Sequence, residues 1–448
     1  MPNLIALVLP PLLAPAILAA EQASLDQILE RLNRLEQENR SLRAEVEDLR
    51  REVSALKGAS VYPAAEATIE ERLSVTERRV DEQAQAKVEA AQKFPVRLSG
   101  MLLANLYHNG PLTGTNDHPT VVARAPNRQA GGITFRQSII GLELRGPQSV
   151  LGAHMRGSIF VDFFDGLTEA TNFYPIRVRT ASIELDWKSR TLMVGQEKPL
   201  FSMRDPNTFS YSGVSPLTAS GNLWRWQPQI RFEQRAGAGS TRARGQIALV
   251  QTWEEAGLDF AGNRLTFERR RPGLQGRFEL SHHWSDDRRI EVGPGFHFSQ
   301  SHVSGFNYNS HLAAVDWLIK PTSFFEFSGL FWSGQNVHHF GALRQSFGRD
   351  PSAPGGFRPV EARGGWAQIS LPVHQRVSLN LFGGVHDDRN NRLGPQGVAA
   401  NRTGAVNIMY RLAPNVIVSL EAMRLRTTFL DIGNRNNNRY DLSLAYLF

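Results

Sequence analysis

Apolar and polar residues alternate with a period of two from Val96 to the last residue. The alternation predicts sixteen strands of about ten residues each, the length that crosses a bilayer when a strand is tilted. They are predicted to begin near residues 96, 133, 151, 176, 190, 223, 244, 273, 288, 306, 323, 361, 375, 401, 415 and 438. The connections alternate long and short, which is typical of an up-and-down barrel. Residues 94–448 are therefore predicted to form an all-β transmembrane barrel, a 16-stranded antiparallel up-and-down barrel.

The last strand carries a second pattern. Tyr440, Leu442, Leu444, Tyr446 and the final Phe448 share one face and alternate with polar or small residues. A terminal aromatic residue on such a strand is similar to the signal that the barrel-assembly machinery of Gram-negative outer membranes reads. We expect Tyr440, Tyr446 and Phe448 to serve as this assembly signal.

A heptad pattern precedes the barrel between Leu25 and Leu56, with oppositely charged residues at the g and following e positions. It predicts a parallel α-helical coiled coil over residues 21–58. The segment from Arg31 to Glu36 resembles a trimerisation motif, whereas the polar Asn39 at an a position is typical of dimers. We expect a homotrimer. The residues expected to hold it together are Arg31, Leu32, Leu35, Glu36, Asn39 and Leu42.

The remaining N-terminal segments have simpler interpretations. Residues 1–20 are apolar, uncharged and end in Ala19 and Ala20, which predicts a signal peptide, with a short membrane anchor as the alternative. Residues 59–93 have a weak helical period and are predicted to be a helical spacer. An even number of strands places both ends of the barrel at the short-turn end, so the coiled coil would lie in the periplasm.

The amino-acid composition excludes several classes of site and of function. The chain has no cysteine, which excludes disulfides, thiolate metal sites and a cysteine nucleophile. It also lacks the P-loop, zincin and nucleophile-elbow motifs, so we expect no enzyme, no cofactor and no metal. The net charge is +7, and all but six of the 50 basic residues are arginine, the side chain best suited to planar recognition of anions. Nucleic acid is set aside as a partner because the barrel pattern predicts lipid-facing strands.

Arginines that share a strand face are predicted to line the pore and bind anions in succession. Arg177 with Arg179, and Arg424 with Arg426, are spaced by two residues. The full set is Arg136, Arg156, Arg177, Arg179, Arg204, Arg225, Arg231, Arg424 and Arg426. For each arginine the alternative is that its side chain reaches lipopolysaccharide or pairs with a carboxylate of the wall.

The third long connection, residues 200–222, is expected to fold into the barrel and narrow it. Arg204, Asp205 and Tyr211 are the residues predicted to form this constriction. The alternative is a loop that lies outside the barrel.

The run R-x-R-x-A-x-x-x-L from Arg177 to Leu185, followed by Gly195 and Gln196, resembles the phosphate-selective porin O and P group. Together with the predicted coiled coil, it is most similar to the DcaP-like porins of that group. The resemblance implies a sixteen-stranded trimeric porin that passes small anionic solutes such as dicarboxylates or phosphate. Thr180 and Ser182 depart from residues that are common in the family, which leaves the solute open.

We therefore expect a passive anion channel in a Gram-negative outer membrane. Its expected partners are two further copies of the chain, outer-membrane lipid and lipopolysaccharide, the assembly machinery, small anionic solutes and, through the coiled coil, peptidoglycan. Two alternatives stay open. One is a structural protein that spaces the envelope, with the barrel as its anchor and the coiled coil on the cell wall. The other is an enzyme whose serine, histidine and carboxylate meet on the barrel wall.

Overall fold

The computed structural model describes Arg51 and residues 96–114, 116–146, 150–164, 174–252, 271–303, 305–343 and 347–448. The chain divides into two compact units, Met1–Gln92 and Lys93–Phe448. The predicted signal peptide, coiled coil and spacer lie outside the described residues, apart from the helical Arg51. The same holds for Arg31, Leu32, Leu35, Glu36, Asn39 and Leu42. No helix in the described part of the chain is long and apolar enough to cross a membrane.

The described residues of the second unit are mostly strands. These are β1 (Val96–Asn109), β2 (Ala130–Thr134), β3 (Ile139–Arg145), β4 (His154–Asp162), β5 (Arg177–Asp186), β6 (Arg190–Glu197), β7 (Gln227–Ala238), β8 (Thr241–Val250), β9 (Gly273–Ser285), β10 (Arg288–Val303), β11 (Phe306–Thr322), β12 (Phe325–Gln335), β13 (Phe347–Arg349), β14 (Phe357–Pro359), β15 (Glu361–His374), β16 (Val377–Asp388), β17 (Val398–Ala413), β18 (Val416–Phe429) and β19 (Gly433–Leu447). Three short 3-10 helices, His338–Phe340, Pro354–Gly356 and Asn390–Arg392, lie in the connections.

The strands form a closed antiparallel barrel with sixteen strand positions. Consecutive strands pair with each other, and β1 pairs with β19 to close the barrel. Both β2 and β3 pair with β1 and together fill one position, while β13 and β14 form a separate hairpin. The predicted sixteen-stranded antiparallel barrel is thus confirmed. The interruption between β2 and β3 was not predicted; there the Ser138 hydroxyl accepts a hydrogen bond from the Leu103 N–H at 3.0 Å.

The two faces of the barrel wall have opposite chemistry. On β1, Leu98, Leu102 and Leu106 are exposed on the outside, whereas Asn105 and Asn109 are buried inside. On β19 the outside carries Leu442, Leu444 and the predicted assembly residues Tyr440, Tyr446 and Phe448, all exposed. A barrel with apolar residues outside and polar residues inside is suited to the hydrocarbon region of a bilayer.

The connections place most of the irregular chain at one end. The turns after β5, β7, β9, β11, β15 and β17 are tight, whereas the loops after β1, β4, β6, β8 and β12 are long. The loop after β6, residues 198–226, is called the third loop here. It lies inside the barrel, where Phe201, Leu217 and Leu223 join an apolar cluster with residues of strands β11, β12 and β15–β18.

Candidate functional site

The third loop is held inside the barrel by hydrogen bonds to distant strands. The Asn207 N–H donates to the Gln368 side chain on β15 at 2.6 Å. Further along the loop, the Ser210 carbonyl accepts a hydrogen bond from Asn105 on β1 at 3.1 Å. Because β15 and β1 lie far apart around the wall, the loop must cross the interior between them. The loop therefore narrows the lumen.

Apolar packing fixes the return path of the same loop. The buried Trp332 of β12 donates its indole N–H to the Gly221 carbonyl at 2.7 Å. Phe201 meets Phe340 edge to face, with ring centroids 5.0 Å apart. Both contacts belong to the apolar cluster, so the loop is attached to the β11–β18 side of the wall by buried side chains.

The residues predicted to form the constriction are all engaged in the attachment of the loop. Arg204 pairs with Glu291 of β10 and Asp316 of β11, and Asp205 pairs with Lys198 at the base of the loop. Burial alone would raise the pKa of Asp205, but the Lys198 ammonium and hydrogen bonds hold it below its usual value.

Tyr211 is buried in the same loop. Its hydroxyl donates to the Pro119 carbonyl at 2.8 Å, and the Arg439 guanidinium lies over its ring, 5.3 Å from the centroid. Burial raises the pKa of Tyr211. Tyr211 therefore ties the third loop to the first long loop and does not project into open space.

The two arginines of the R-x-R run lie inside the barrel and share one carboxylate. Arg177 donates to Asp162 of β4 at 2.6 and 3.0 Å, and Arg179 donates to it at 2.9 Å. In the third loop, Arg177 also donates to the Gly213 carbonyl and Arg179 donates to the Ser212 carbonyl. Their side chains remain 31% and 18% exposed. Two cations facing one anion leave a net positive charge beside the loop.

Aromatic rings support these arginines. The Arg177 guanidinium lies 4.9 Å from the Phe164 ring centroid, and that of Arg179 lies 4.7 Å from the Trp226 centroid. Arg136 reaches the other side of the group, 4.4 Å from the Phe164 centroid. Stacking on a ring holds a guanidinium in place without neutralising it. The structure thus brings Arg136, Arg177 and Arg179 together.

Arg136 itself is buried and does not line open space. It donates to Asp117 of the first long loop at 2.6 Å, and His118 contacts the same carboxylate at 2.6 Å. Burial would raise the pKa of Asp117, but hydrogen bonds from His118 and Arg136 bring it well below its usual value. The predicted pore-lining position of Arg136 is therefore wrong. Its guanidinium pairs with the Asp117 carboxylate and so attaches the first long loop to the wall.

A ladder of arginines and carboxylates follows the inner wall from β4 to β11. Arg156 lies 2.7 Å from Asp186, and Arg231 lies 3.8 Å from Glu184. The other members were not predicted from the sequence; they are Arg235, Arg244, Arg277 and Arg289 with Glu233, Glu279, Glu291 and Asp316. The strand pattern could have identified them, because most of them lie two or four residues along their strand from another buried polar residue.

Two predicted pore residues lie on the wrong side of the wall. Arg424 and Arg426 are exposed, while Met423, Leu425 and Thr427 between and beside them are buried. The predicted pore-lining role of Arg424 and Arg426 is therefore wrong. The cause is the phase of β18: apolar Met423 and Leu425 point inward because they pack on the third loop and its apolar cluster.

The remaining predicted residue, Arg225, lies in the returning part of the third loop. Its backbone N–H donates to the Phe340 carbonyl at 3.1 Å, and its side chain is half-buried.

A cavity of about 460 Å³ lies beneath the descending part of the loop. It is lined by Asp205, Pro206, Asn207, Thr208, Phe209, Lys320, Glu326, Ser370, Pro372, Ser378, Asn380 and Met409. No group of three metal-ligating side chains that could hold a metal ion occurs in the residues that the structure describes.

Comparisons with known proteins place the fold. No protein-family model and no curated protein matches the chain. Among solved structures, it is similar to the outer membrane channel DcaP of Acinetobacter baumannii, with a TM-score of 0.65, 15% identity and coverage of 79% of this chain and 97% of that chain. The anion-selective porin from Comamonas acidovorans has a TM-score of 0.51, 11% identity and coverage of 80% and 100%. The expected likeness to DcaP-like porins is confirmed at the level of the fold.

Proposed function

We propose that the protein is a passive channel for small anionic solutes, such as dicarboxylates or phosphate, in a Gram-negative outer membrane. The observation that carries the proposal is the pair Arg177 and Arg179, which share Asp162 and remain partly exposed beside the inward-folded loop. A net positive charge beside a loop that narrows a pore with low-dielectric walls concentrates anions there.

The charged ladder supports the same function. Its arginines are paired with carboxylates, so each offers an anion a weak site and none holds it tightly. A series of weak sites favours passage, because an ion must leave each site as readily as it enters. Arg156 and Arg231 of the predicted set belong to this ladder.

The proposed assembly is a homotrimer with a periplasmic coiled coil. The heptads at residues 25–56 and the motif around Leu32 and Leu35 support it. The outward-facing aromatic residues of β19 support recognition by the assembly machinery of the outer membrane, and the partly exposed Arg177 and Arg179 support anionic solutes. The DcaP protein of similar fold is an outer membrane channel, and the Comamonas protein is an anion-selective porin.

The test is single-channel recording of the purified full-length protein in a planar bilayer under a KCl gradient. We expect an anion-selective reversal potential and closure in three equal steps. Replacing Arg177→Gln together with Arg179→Gln should lower the anion-to-cation permeability ratio by roughly ten- to hundred-fold, since two unit charges about 6 Å from a passing ion contribute ~1.4 kcal/mol in water, with opposite signs for an anion and a cation.

The matched control is Arg424→Gln together with Arg426→Gln, which removes the same charge from the outer face. It should leave the reversal potential unchanged. A cation-selective wild-type pore, or equal effects of the two double variants, would contradict the anion-channel proposal.

A second candidate is a structural envelope protein whose barrel serves as an anchor. The apolar cluster on the β11–β18 side of the interior favours it, because these side chains occupy part of the lumen. This candidate predicts that a folded trimer reconstituted in the bilayer gives no conductance at any potential. Conductance of the wild type would exclude a barrel that only anchors.

A further inference from the structure

Three arginines on the outer face of the barrel have no partner among the described residues. Arg402 of β17 and Arg424 and Arg426 of β18 are exposed and alternate with buried residues. Within the residues that the structure describes, none of the three side chains makes an ion pair or a hydrogen bond. Arg402 and Arg426 are directly opposite each other across the strand pair, and Arg424 is opposite Gly404. Like charges in opposite positions destabilise a sheet unless an anion lies between them.

Their height on the wall is fixed by the strand registers. Val406 of β17, Ala422 of β18 and Tyr440 of β19 form one cross-strand row, and below it the outer face of β19 is apolar down to Phe448. The nine residues from Tyr440 to Phe448 span roughly 20 Å along the membrane normal at a tilt of about 40°. The apolar band of an outer-membrane barrel is about 25 Å tall and is flanked by aromatic residues, so the aromatic Tyr440 lies at its upper edge.

The arginines lie in the next two rows. Arg424 shares its row with Asn438, and Arg426 shares the following row with Asn436 and Arg402. Two strand residues advance about 5 Å along the normal, so the arginines lie roughly 5 and 10 Å above the apolar band. That level, at the end with the long loops, is where the headgroups of the outer leaflet lie.

The outer face of β10–β12 lacks this charge. At the upper ends of these strands it carries uncharged Gln300, Asn309 and Gln335 together with histidines. On the neighbouring strand β16, the outward carboxylate of Asp387 is 3.1 Å from Arg363. The unpaired positive charge of β17 and β18 is therefore not shared by the outer face of β10–β12.

We propose that Arg402, Arg424 and Arg426, with Asn436 and Asn438, form a headgroup patch that binds the phosphates of a lipopolysaccharide molecule in the outer leaflet. Guanidinium groups form charge-assisted, two-pronged hydrogen bonds with phosphate oxygens. The two amides supply further donors on the same face. The proposal rests on the orientation of the proposed porin, with its long loops outside, but not on ion selectivity.

A second copy of the chain fits this patch less well. It would have to bring carboxylates, and the outward-facing strand carboxylates among the described residues, Glu361 and Asp387, are both already paired with arginines. The phosphates of a lipid headgroup provide negative charge at the level of these three arginines.

The test uses the delipidated full-length protein in detergent and native mass spectrometry with bisphosphorylated lipid A and its dephosphorylated form. We expect wild type to bind the bisphosphorylated lipid at least about ten-fold more tightly than the triple variant R402Q/R424Q/R426Q, a difference of roughly 1.4 kcal/mol. The dephosphorylated lipid should bind both proteins equally. The control R177Q/R179Q, which removes charge inside the barrel, should bind lipid A as wild type does.

Several outcomes would overturn the headgroup patch. Equal binding of bisphosphorylated lipid by wild type and the triple variant would do so, provided that both show the same heat-resistant barrel on electrophoresis. The proposal would also be overturned if the triple variant lost its oligomeric state while its lipid binding was unchanged. The patch would then be an interface between copies of the chain. Conductance is not measured in this experiment, so its failure is distinguishable from failure of the channel proposal.

Discussion

The two sides of the barrel interior are built from different residues. From β4 to β11 the inner wall carries arginines and carboxylates in alternating pairs, such as Arg156 with Asp186. From β11 to β18 it carries Trp332, Trp366, Phe382 and other apolar side chains that pack against the third loop. One side supplies charge to the lumen, and the other supplies the attachment that keeps the loop inside. We therefore expect the ion selectivity and the constriction of the proposed channel to be changed by different substitutions.

The largest effect is expected on the apolar side. Trp332→Ala removes a fully buried ring from the cluster and the hydrogen bond to Gly221. A large-to-small change of this kind costs about 3–5 kcal/mol, and here the loss falls on the attachment of the loop. We expect the single-channel conductance to rise and to fluctuate as the loop leaves the wall, with the sign of the reversal potential unchanged.

The matched control is Phe331→Ala, the neighbouring residue on the same strand, whose ring is 53% exposed on the outer face. Its conductance should be that of wild type. If Trp332→Ala leaves conductance unchanged in a folded barrel, the apolar cluster does not hold the constriction.

A smaller effect is expected where the first loop meets the charged side. The pKa of Asp117 lies well below its ordinary 3.8, because Arg136 and His118 bind the ionised form. A carboxyl group whose pKa is lowered by folding stabilises the protein above the ordinary pKa, and this stability is lost as the pH falls below it. Asp117→Asn should therefore lower the unfolding temperature at pH 7 but converge with wild type as the pH falls below 3.8.

The comparison requires thermal unfolding of both proteins between pH 7 and pH 2, followed by circular dichroism. In Asp117→Asn the buried Arg136 has an amide in place of the carboxylate as its hydrogen-bond acceptor, which should lower the free energy of unfolding by about 1–3 kcal/mol. A constant difference between wild type and Asp117→Asn at every pH would show that the ionised carboxylate is not the source of the stability.

The fold was predictable because its signal repeats. The period of two recurs in each strand, and the alternation of connection lengths gives the number and direction of the strands without any tertiary information. The interior was less predictable. Arg424 and Arg426 obey the same spacing rule as Arg177 and Arg179, yet β18 turns them outward because Met423 and Leu425 pack on a loop about 200 residues earlier in the chain. Arg136 likewise pairs with Asp117, which lies in a loop whose conformation cannot be predicted from the local sequence.

A further prediction concerns the net charge of the charged side. Asp162→Asn leaves Arg177 and Arg179 without a carboxylate and adds one positive charge to the lumen. A unit charge about 8 Å from a passing ion contributes ~0.5 kcal/mol in water, with opposite signs for an anion and a cation, so the anion-to-cation permeability ratio should rise roughly two- to five-fold. The control Asp387→Asn removes a carboxylate from the outer face, where it pairs with Arg363. An equal shift with both variants would mean that the lumen is not the source of selectivity.

The smallest effect is expected at the most exposed pair of the ladder. Arg156 is 52% exposed and lies 2.7 Å from Asp186, so Arg156→Gln should change the free energy of unfolding by less than about 1 kcal/mol. Its charge still acts on passing ions, and anion preference should fall slightly in dilute KCl. At 1 M salt the screening length is only about 3 Å, so the difference from wild type should vanish there. Arg363→Gln, which removes a similarly exposed charge from the outer face, should show no difference at either salt concentration. If the Arg156 effect persists at 1 M KCl, the ladder acts on ions by direct contact and not by its field.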